Sequence, residues 1–385
     1  MKFAKPDHSK TSVRKAGILL SSVDYMKSIF EYLDALTIFS NWRASHAYPM
    51  QSMLIYFRSK AFEVDENAIV VQRLKRTPSI ISKLKREDGM KLDRMEDIAG
   101  CRIVVNTLEN AYKVREKILT GRTRNIIYRE RDYISTPKNS GYRGIHLIYK
   151  YNGSKKEYQG IALELQIRSK LQHAWATTVE VVGTFTGEAL KASKGNEEWL
   201  EFFKLASEAF ADTEELERKS FDHDKLQSIE KNLNVRTKLK AFSISTQHLE
   251  KDTASTYKFY ILVLDTEKRR VSIKKFKQQE LQTASDTYTD LEKEYSENMH
   301  IDVVLVSASS LQGLKKAYPN YFADTTEFIK TLEKILNKGK NENRGITARG
   351  LTARGITARA LTATSLTNRS EKPEPEIKLL SSDKE

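Results

Sequence analysis

A single cysteine, Cys101, in a chain of 385 residues excludes an internal disulfide and any metal centre built from several thiolates. That economy fits a reducing, cytoplasmic setting. Cys101 itself lies in AGCRIVV, a run of strand type, and reads as a small core residue. Long apolar runs are missing too: no stretch of about 18 apolar residues occurs, and MKFAKPDHSKTSVRK has no apolar segment behind its basic residues. Neither a membrane span nor a secretion signal is therefore expected.

Positive charge, by contrast, is plentiful. Lys and Arg number 65 against 51 Asp and Glu, a formal net charge of +14, which raises the local concentration of polyanions such as nucleotides or RNA. The length suffices for two globular domains and tails, because single cores stop growing well below it.

Between residues 22 and 65 the apolar residues recur at three and four (Tyr25, Ile29, Tyr32, Leu33, then Met53, Leu54, Phe57, Phe62), the spacing of helices with one buried face. Pro49 is expected to mark a break between two of them. Another helix is expected at TPSIISKLKRE, with Thr77 as N-cap and Pro78 at the first helical position. Strands are expected over 98–106, 126–134, 144–151 and 161–168, with a helix near 108–119. In IALELQIRS the apolar residues alternate strictly, so Leu163, Leu165 and Ile167 face a core while Glu164, Gln166 and Arg168 face the other side. After helices from 169 to about 250 the pattern restarts with YKFYILVLD, RRVSIKKF, a polar helix and IDVVLVSA.

The expected class is α+β: a mixed sheet flanked by helices, then a second small α/β unit and a disordered tail. The bounds read as a helical region over 1–69, the core with its following helices over 70–235, a small ββαβα unit over 236–337, and the tail over 338–385. The tail repeats RGITA, RGLTA, RGITA and RALTA, rich in glycine and without aromatics, and cannot bury a core.

Three stretches carry chemistry. QRLKRTPSIISKLKR sets Arg73, Lys75, Ser79, Lys83 and Arg86 on or just before one short helix, with Ser79, Lys83 and Arg86 on one face, suited to gripping a polyphosphate. DIAGCR places Asp97 and Arg102 an odd number of residues apart, so a bend at Ala-Gly is expected if they share a site. RDYISTPKNSGYRGIH and LELQIR crowd Arg131, Lys138, Tyr142, His146, Glu164 and Arg168 into strands and one turn. An exposed Tyr142 there invites a stacked base. Asp97 and Glu164 are two carboxylates that burial would penalise without a cation between them, and Mg²⁺ with phosphate oxygens is the natural neutraliser.

The order R-x-K-x-x-x-S-x-x-x-K, D-I-A-G-x-R, D-Y-I-x-x-P-K-x-x-G-Y-x-x-x-H and E-x-Q-I-R resembles the synthetase domain of RelA/SpoT-type alarmone synthetases, over about 70–183. NWRASHAYP and LQHAWATTVEVVGTFTGEAL further resemble the long members with a single synthetase domain. The resemblance implies a nucleotidyltransferase-like core that transfers the β,γ-pyrophosphate of ATP to the ribose 3′-hydroxyl of GDP or GTP. It implies that Arg73 and Arg102 sandwich adenine, that Lys75, Ser79 and Lys83 hold the ATP phosphates, and that Asp97 and Glu164 bind Mg²⁺. Tyr142 would stack on guanine, with Arg131, Lys138 and His146 contacting phosphates. Glu164 would take the 3′-hydroxyl proton, supported by Gln166. The chain departs from the family at Ser140, where Asn is common, at Gly144, where Ser is common, and at Thr177, Thr178, Val179 and Glu180 on the following helix.

Only His8 and His46 precede residue 70, too few for the hydrolase centre of bifunctional relatives. Two other functions stay open at this point. One is a toxic small synthetase that acts on tRNA 3′ ends or makes adenosine alarmones, restrained by its C-terminal unit until a protein trigger binds. The other is a non-enzymatic nucleotide sensor or RNA-binding module, against which the two retained metal carboxylates argue.

Overall fold

The computed structural model describes residues 3–22, 29–186, 190, 195–214, 221–244, 256–265, 268, 270–295, 301–307 and 324–338. The expected tail from 339 onward lies outside the described residues. Residues 1–333 form one compact unit and 334–385 a second, of which only 334–338, the end of a helix over 326–338, are described.

Three helices lead in. Helix α1 (Lys10–Ser21) starts at an N-cap serine, Ser9, whose hydroxyl accepts from the Ser12 amide at 3.1 Å. Helices α2 (Ile29–Ser45) and α3 (Ala47–Phe62) meet at His46. Pro49 does not mark that break: it sits in the first turn of α3, where a missing N–H costs no helical bond.

Strand β1 (Ile69–Leu74), helix α4 (Thr77–Arg86), strand β2 (Ala99–Val105), helix α5 (Leu108–Thr120), and strands β3 (Ile126–Asp132), β4 (Ile145–Lys150) and β5 (Ala162–Ser169) follow. Strand β1 escaped the sequence reading. Its IVVQRL has one buried position, Val71, and among the described strands it is an edge strand of the sheet, paired with β2. The N-cap of α4 is Arg76, one residue earlier than expected, with Thr77 already helical.

The strands form a mixed five-stranded sheet in the order β1-β2-β5-β4-β3. Only β2 and β5 are parallel; the other pairs are antiparallel. Cys101, Ile103, Leu163, Leu165, Ile167, Leu147 and Tyr149 project from one face against Met53, Leu54 and Phe57 of α3 and Ala111, Val114 and Ile118 of α5. A second core joins α1, α2 and α4 through Val13, Phe39, Ile80, Leu92 and Ile98. With two helices sealing one face of the sheet, the polar side chains of the same strands share the opposite face.

Helices α6 (Lys170–Thr186), α7 (Glu197–Glu214), α8 (His223–Leu233) and α9 (Val235–Ile244) come next. Strands β6 (Tyr257–Asp265) and β7 (Arg270–Lys277), helix α10 (Leu281–Glu294) and strand β8 (Ile301–Ser307) build an antiparallel three-stranded sheet, β7-β6-β8, on which α10 packs through Tyr288 and Leu291. Among the described residues no helix is long and apolar enough to cross a membrane.

Leu165 is fully buried at the centre of the sheet. Leu165→Ala is expected to lower unfolding free energy by about 2–5 kcal/mol through lost transfer energy and a residual cavity, read by urea denaturation; a loss below about 1 kcal/mol would contradict this packing.

Candidate active site

Strand register assembles the site. Partners across a sheet point to the same face, and two adjacent rows can be followed from edge to edge. One runs Arg73, Gly100, Glu164, Ile148, Arg129; the next runs Val71, Arg102, Gln166, His146, Arg131. Arg73, Arg102, Arg131, His146, Glu164 and Gln166, drawn from five strands, therefore share the face opposite the main core. Gly100 carries no side chain between Arg73 and Glu164, and a Cβ there would approach nothing closer than the Arg73 carbonyl at 3.6 Å. The face is thus open at that point.

A closed set of hydrogen bonds surrounds Glu164. His146 Nδ1 lies 2.9 Å from Glu164 Oε1 and Gln166 Nε2 donates to Glu164 Oε2 at 2.7 Å. Gln166 Oε1 in turn accepts from Arg168 at 3.0 Å and Arg102 at 3.4 Å. Arg168 also donates to the Tyr142 hydroxyl at 3.0 Å, and that hydroxyl is 2.6 Å from His146 Nε2. A carboxylate only accepts, so His146 Nδ1 carries the proton, and Tyr142 then donates to Nε2. Burial pushes the Glu164 carboxyl upward, but the His146 bond, Gln166 and the charge of Lys75 outweigh it and hold it well below the ordinary carboxylate range. Burial likewise lowers His146, more than neighbouring Glu164 raises it. The pair is an ionised carboxylate beside a neutral imidazole.

Asp97 stands in a turn just ahead of β2, off the strand, so strand alternation does not set its side relative to Arg102. Its carboxylate meets Lys75 Nζ at 2.6 Å and Lys83 Nζ at 3.1 Å. Burial raises the Asp97 carboxyl, while these two ammonium groups outweigh it and leave it below its usual value. Helix α4 can offer Lys83 because its Ile80 and Leu84 are anchored in the second core. Ser79 lies half-buried on the same helix. Arg86 does not join this group: it is exposed and pairs with Glu87.

Tyr142 is not the exposed ring expected from the sequence. It is half-buried, its hydroxyl tied inward, with Arg168 at 5.1 Å and Lys138 at 5.2 Å from the ring centre. The turn that presents it closes through the Gly141 amide donating to the Lys138 carbonyl at 2.8 Å. Gly141 has φ of 87°, and a Cβ there would lie 3.0 Å from Ser207 and 3.1 Å from Lys204 of α7. Glycine thus permits both the backbone angle and the close approach. The Ser207 hydroxyl donates to the Gly141 carbonyl, and Trp175 Nε1 of α6 donates to the Phe203 carbonyl at 2.7 Å.

Sequence reasoning missed Ser207 and Trp175, which buttress the turn, and Glu96, which sits 3.4 Å from both Arg129 and Arg131. Glu96 adjoins Asp97 in MEDIAG, and that adjacency was the available signal.

The residues present fit Mg²⁺. Asp97 and Glu164 supply hard oxygen donors, and the Asp97 carboxylate already draws two cationic groups, Lys75 Nζ at 2.6 Å and Lys83 Nζ at 3.1 Å. No group of three metal-ligating side chains occurs among the described residues. That suits an ion whose remaining ligands are substrate phosphates and water.

His146 should titrate below the ordinary histidine value of about 6.5, seen as an imidazole NMR shift with an Nδ1–H tautomer. The unfolded chain then takes up protons first, so stability falls as pH drops below the unfolded histidine value and falls further as Glu164 is protonated. A His146 value above the ordinary one, or stability rising toward acid pH, would contradict the assignment.

Residues 72–182 match a family model described as the region found in RelA/SpoT proteins. The chain is 32% identical over 125 residues to GTP pyrophosphokinase YjbM of Bacillus subtilis (strain 168), covering 30% of this chain and 57% of that protein. It is also 32% identical over 114 residues to GTP pyrophosphokinase YwaC of the same organism, covering 27% and 52%. The chain thus spans a little over half the length of these curated relatives. Small alarmone synthetase 1 from Bacillus subtilis, solved bound to its product pppGpp, aligns with a TM-score of 0.36 at 23% identity over 50% of this chain and 93% of that one. Residues 72–182 are thus similar to the region found in RelA/SpoT proteins.

Proposed function

We propose that this site is a pyrophosphate transferase that moves the β,γ-pyrophosphate of ATP to the ribose 3′-hydroxyl of GDP or GTP, giving guanosine tetra- or pentaphosphate. The observation that carries the reading is Glu164 on the open sheet face, bonded to His146 at 2.9 Å and Gln166 at 2.7 Å, together with Asp97 just ahead of β2, bonded to Lys75 at 2.6 Å and Lys83 at 3.1 Å.

Arg73 and Arg102 flank the adenine, while Lys75, Lys83 and Ser79 bind the ATP phosphates. Tyr142, fixed through its hydroxyl, offers its ring to guanine. Arg131, Lys138 and His146 surround the acceptor phosphates. The 3′-oxygen attacks the β-phosphorus, the bond from that phosphorus to the bridging oxygen of the α-phosphate breaks, AMP leaves, and the 3′-hydroxyl proton passes to Glu164. Glu164 is ionised and ready to accept it. A carboxylate held so low is a weak base, so its contribution rests on position and on Gln166, which orients it. Asp97 and Glu164 would hold Mg²⁺, which would supply charge neutralisation for the phosphates. Alignment and cations are what such a transfer asks of a protein.

One observation favours a second reading with a longer acceptor, the 3′ end of tRNA. On edge strand β3, Tyr128 is exposed, with Lys150 Nζ 3.8 Å and the Arg129 guanidinium 5.2 Å from its ring centre. An aromatic ring flanked by cations is suited to an unpaired base of a polyanion.

Purified protein with labelled ATP, Mg²⁺ and GDP, GTP or deacylated tRNA should transfer label to GDP or GTP and release AMP; no transfer to any acceptor would sink the enzyme reading. Glu164→Gln should cut the rate at least about hundredfold while circular dichroism stays unchanged, and an active variant would remove Glu164 from the chemistry. Tyr128→Ala separates the two acceptors. It should leave transfer to GDP unaltered, whereas a loss of about 1–3 kcal/mol confined to tRNA would favour the second reading.

A further inference from the structure

Arg43 belongs to NWRASHAYP, a segment with no place in the reaction above. It is a buried guanidinium, 6% exposed, near the end of α2. Its Nε donates to the backbone carbonyl of Lys75 at 2.7 Å. Its Nη2 donates to the hydroxyl of Tyr288, and its guanidinium carbon lies 5.5 Å from the centre of the same ring. Tyr288 comes from α10, in the small antiparallel unit, whose strand β8 lies beside β1.

The Lys75 backbone is therefore held on both sides of its Cα. Its amide donates to the Ile98 carbonyl at 2.7 Å and its carbonyl accepts from Arg43, while its ammonium group reaches Asp97 at 2.6 Å. Lys75 follows the last residue of edge strand β1. There the sheet ladder has ended, and these two bonds take over the task of fixing the backbone. A long, flexible lysine keeps its ammonium in one place only if its backbone is fixed, and catalytic groups need placement within about half an ångström.

We infer that Arg43 is a positioning residue for Lys75, and that Tyr288 holds Arg43 in place, so the β6–β8 sheet with helix α10 helps to build the phosphate-binding end of the site. The inference takes its ligand, ATP, from the function proposed above, but its structural half concerns the Lys75 backbone alone. It also sets a direction: contact with that sheet and helix supports the donor site, opposite to the restraint that the sequence resemblance suggested.

Two variants of the full chain test it: Arg43→Gln, which keeps a donor but loses the forked cation, and Tyr288→Phe, which keeps the ring and loses the hydroxyl. Two readouts are needed. The first is affinity for a non-hydrolysable ATP analogue, together with the KM for ATP set against the KM for GDP. The second is hydrogen exchange at the Lys75 amide without nucleotide. Both variants should weaken analogue binding and raise the KM for ATP by about three- to tenfold, leave the KM for GDP unchanged, and speed exchange at Lys75. Folded variants with wild-type analogue affinity and wild-type exchange at Lys75 would overturn the inference. If the wild-type chain binds no ATP analogue yet the variants still speed Lys75 exchange, the positioning role stands and the ATP reading falls.

Discussion

A carboxylate taken out of water must be compensated, and the face of the five-stranded sheet around Glu164 is organised by that requirement. Glu164 receives one bond from His146 and one from Gln166. Those two side chains are in turn fixed by Tyr142, Arg168 and Arg102. Removing any member leaves another buried polar group without its partner, which costs more than the single bond lost. Two helices bury the apolar faces of the same strands, so the network is held rigidly from behind. Burial thus keeps His146 neutral and the network keeps Glu164 charged.

Much of this was legible in the sequence because it depends on strand alternation. Glu164, Gln166 and Arg168 fall on one side of β5 by the two-residue period alone, and Leu163, Leu165 and Ile167 on the other. What alternation cannot show is pairing. The sequence carries no mark that β2 runs parallel to β5 with Arg102 opposite Gln166, or that Arg131 lies opposite His146. Strand β1 went unseen because an edge strand next to a helix needs few buried residues, and IVVQRL has only one.

Tyr142 was misjudged for a different reason. A glycine before an aromatic residue in a turn suggests a presented ring, but the ring's setting is decided by residues about 30 and 60 positions further on, Trp175 and Ser207. Likewise nothing near Lys75 in the chain points to Arg43, and nothing near Arg43 points to Tyr288, 245 residues away. Such long-range polar contacts are chosen by the packed structure, and no local spacing encodes them.

The central claim is that Glu164 reaches the reaction as a charged, oriented carboxylate, and its ionisation can be measured without any substrate. In protein labelled with ¹³C at the glutamate side-chain carboxyl, with Glu164→Gln used to assign the signal, a titration from neutral pH downward should leave the Glu164 resonance in its ionised position well below the ordinary value of 4.5. A Glu164 signal that moves to the protonated position above that value would show that the network does not hold the charge.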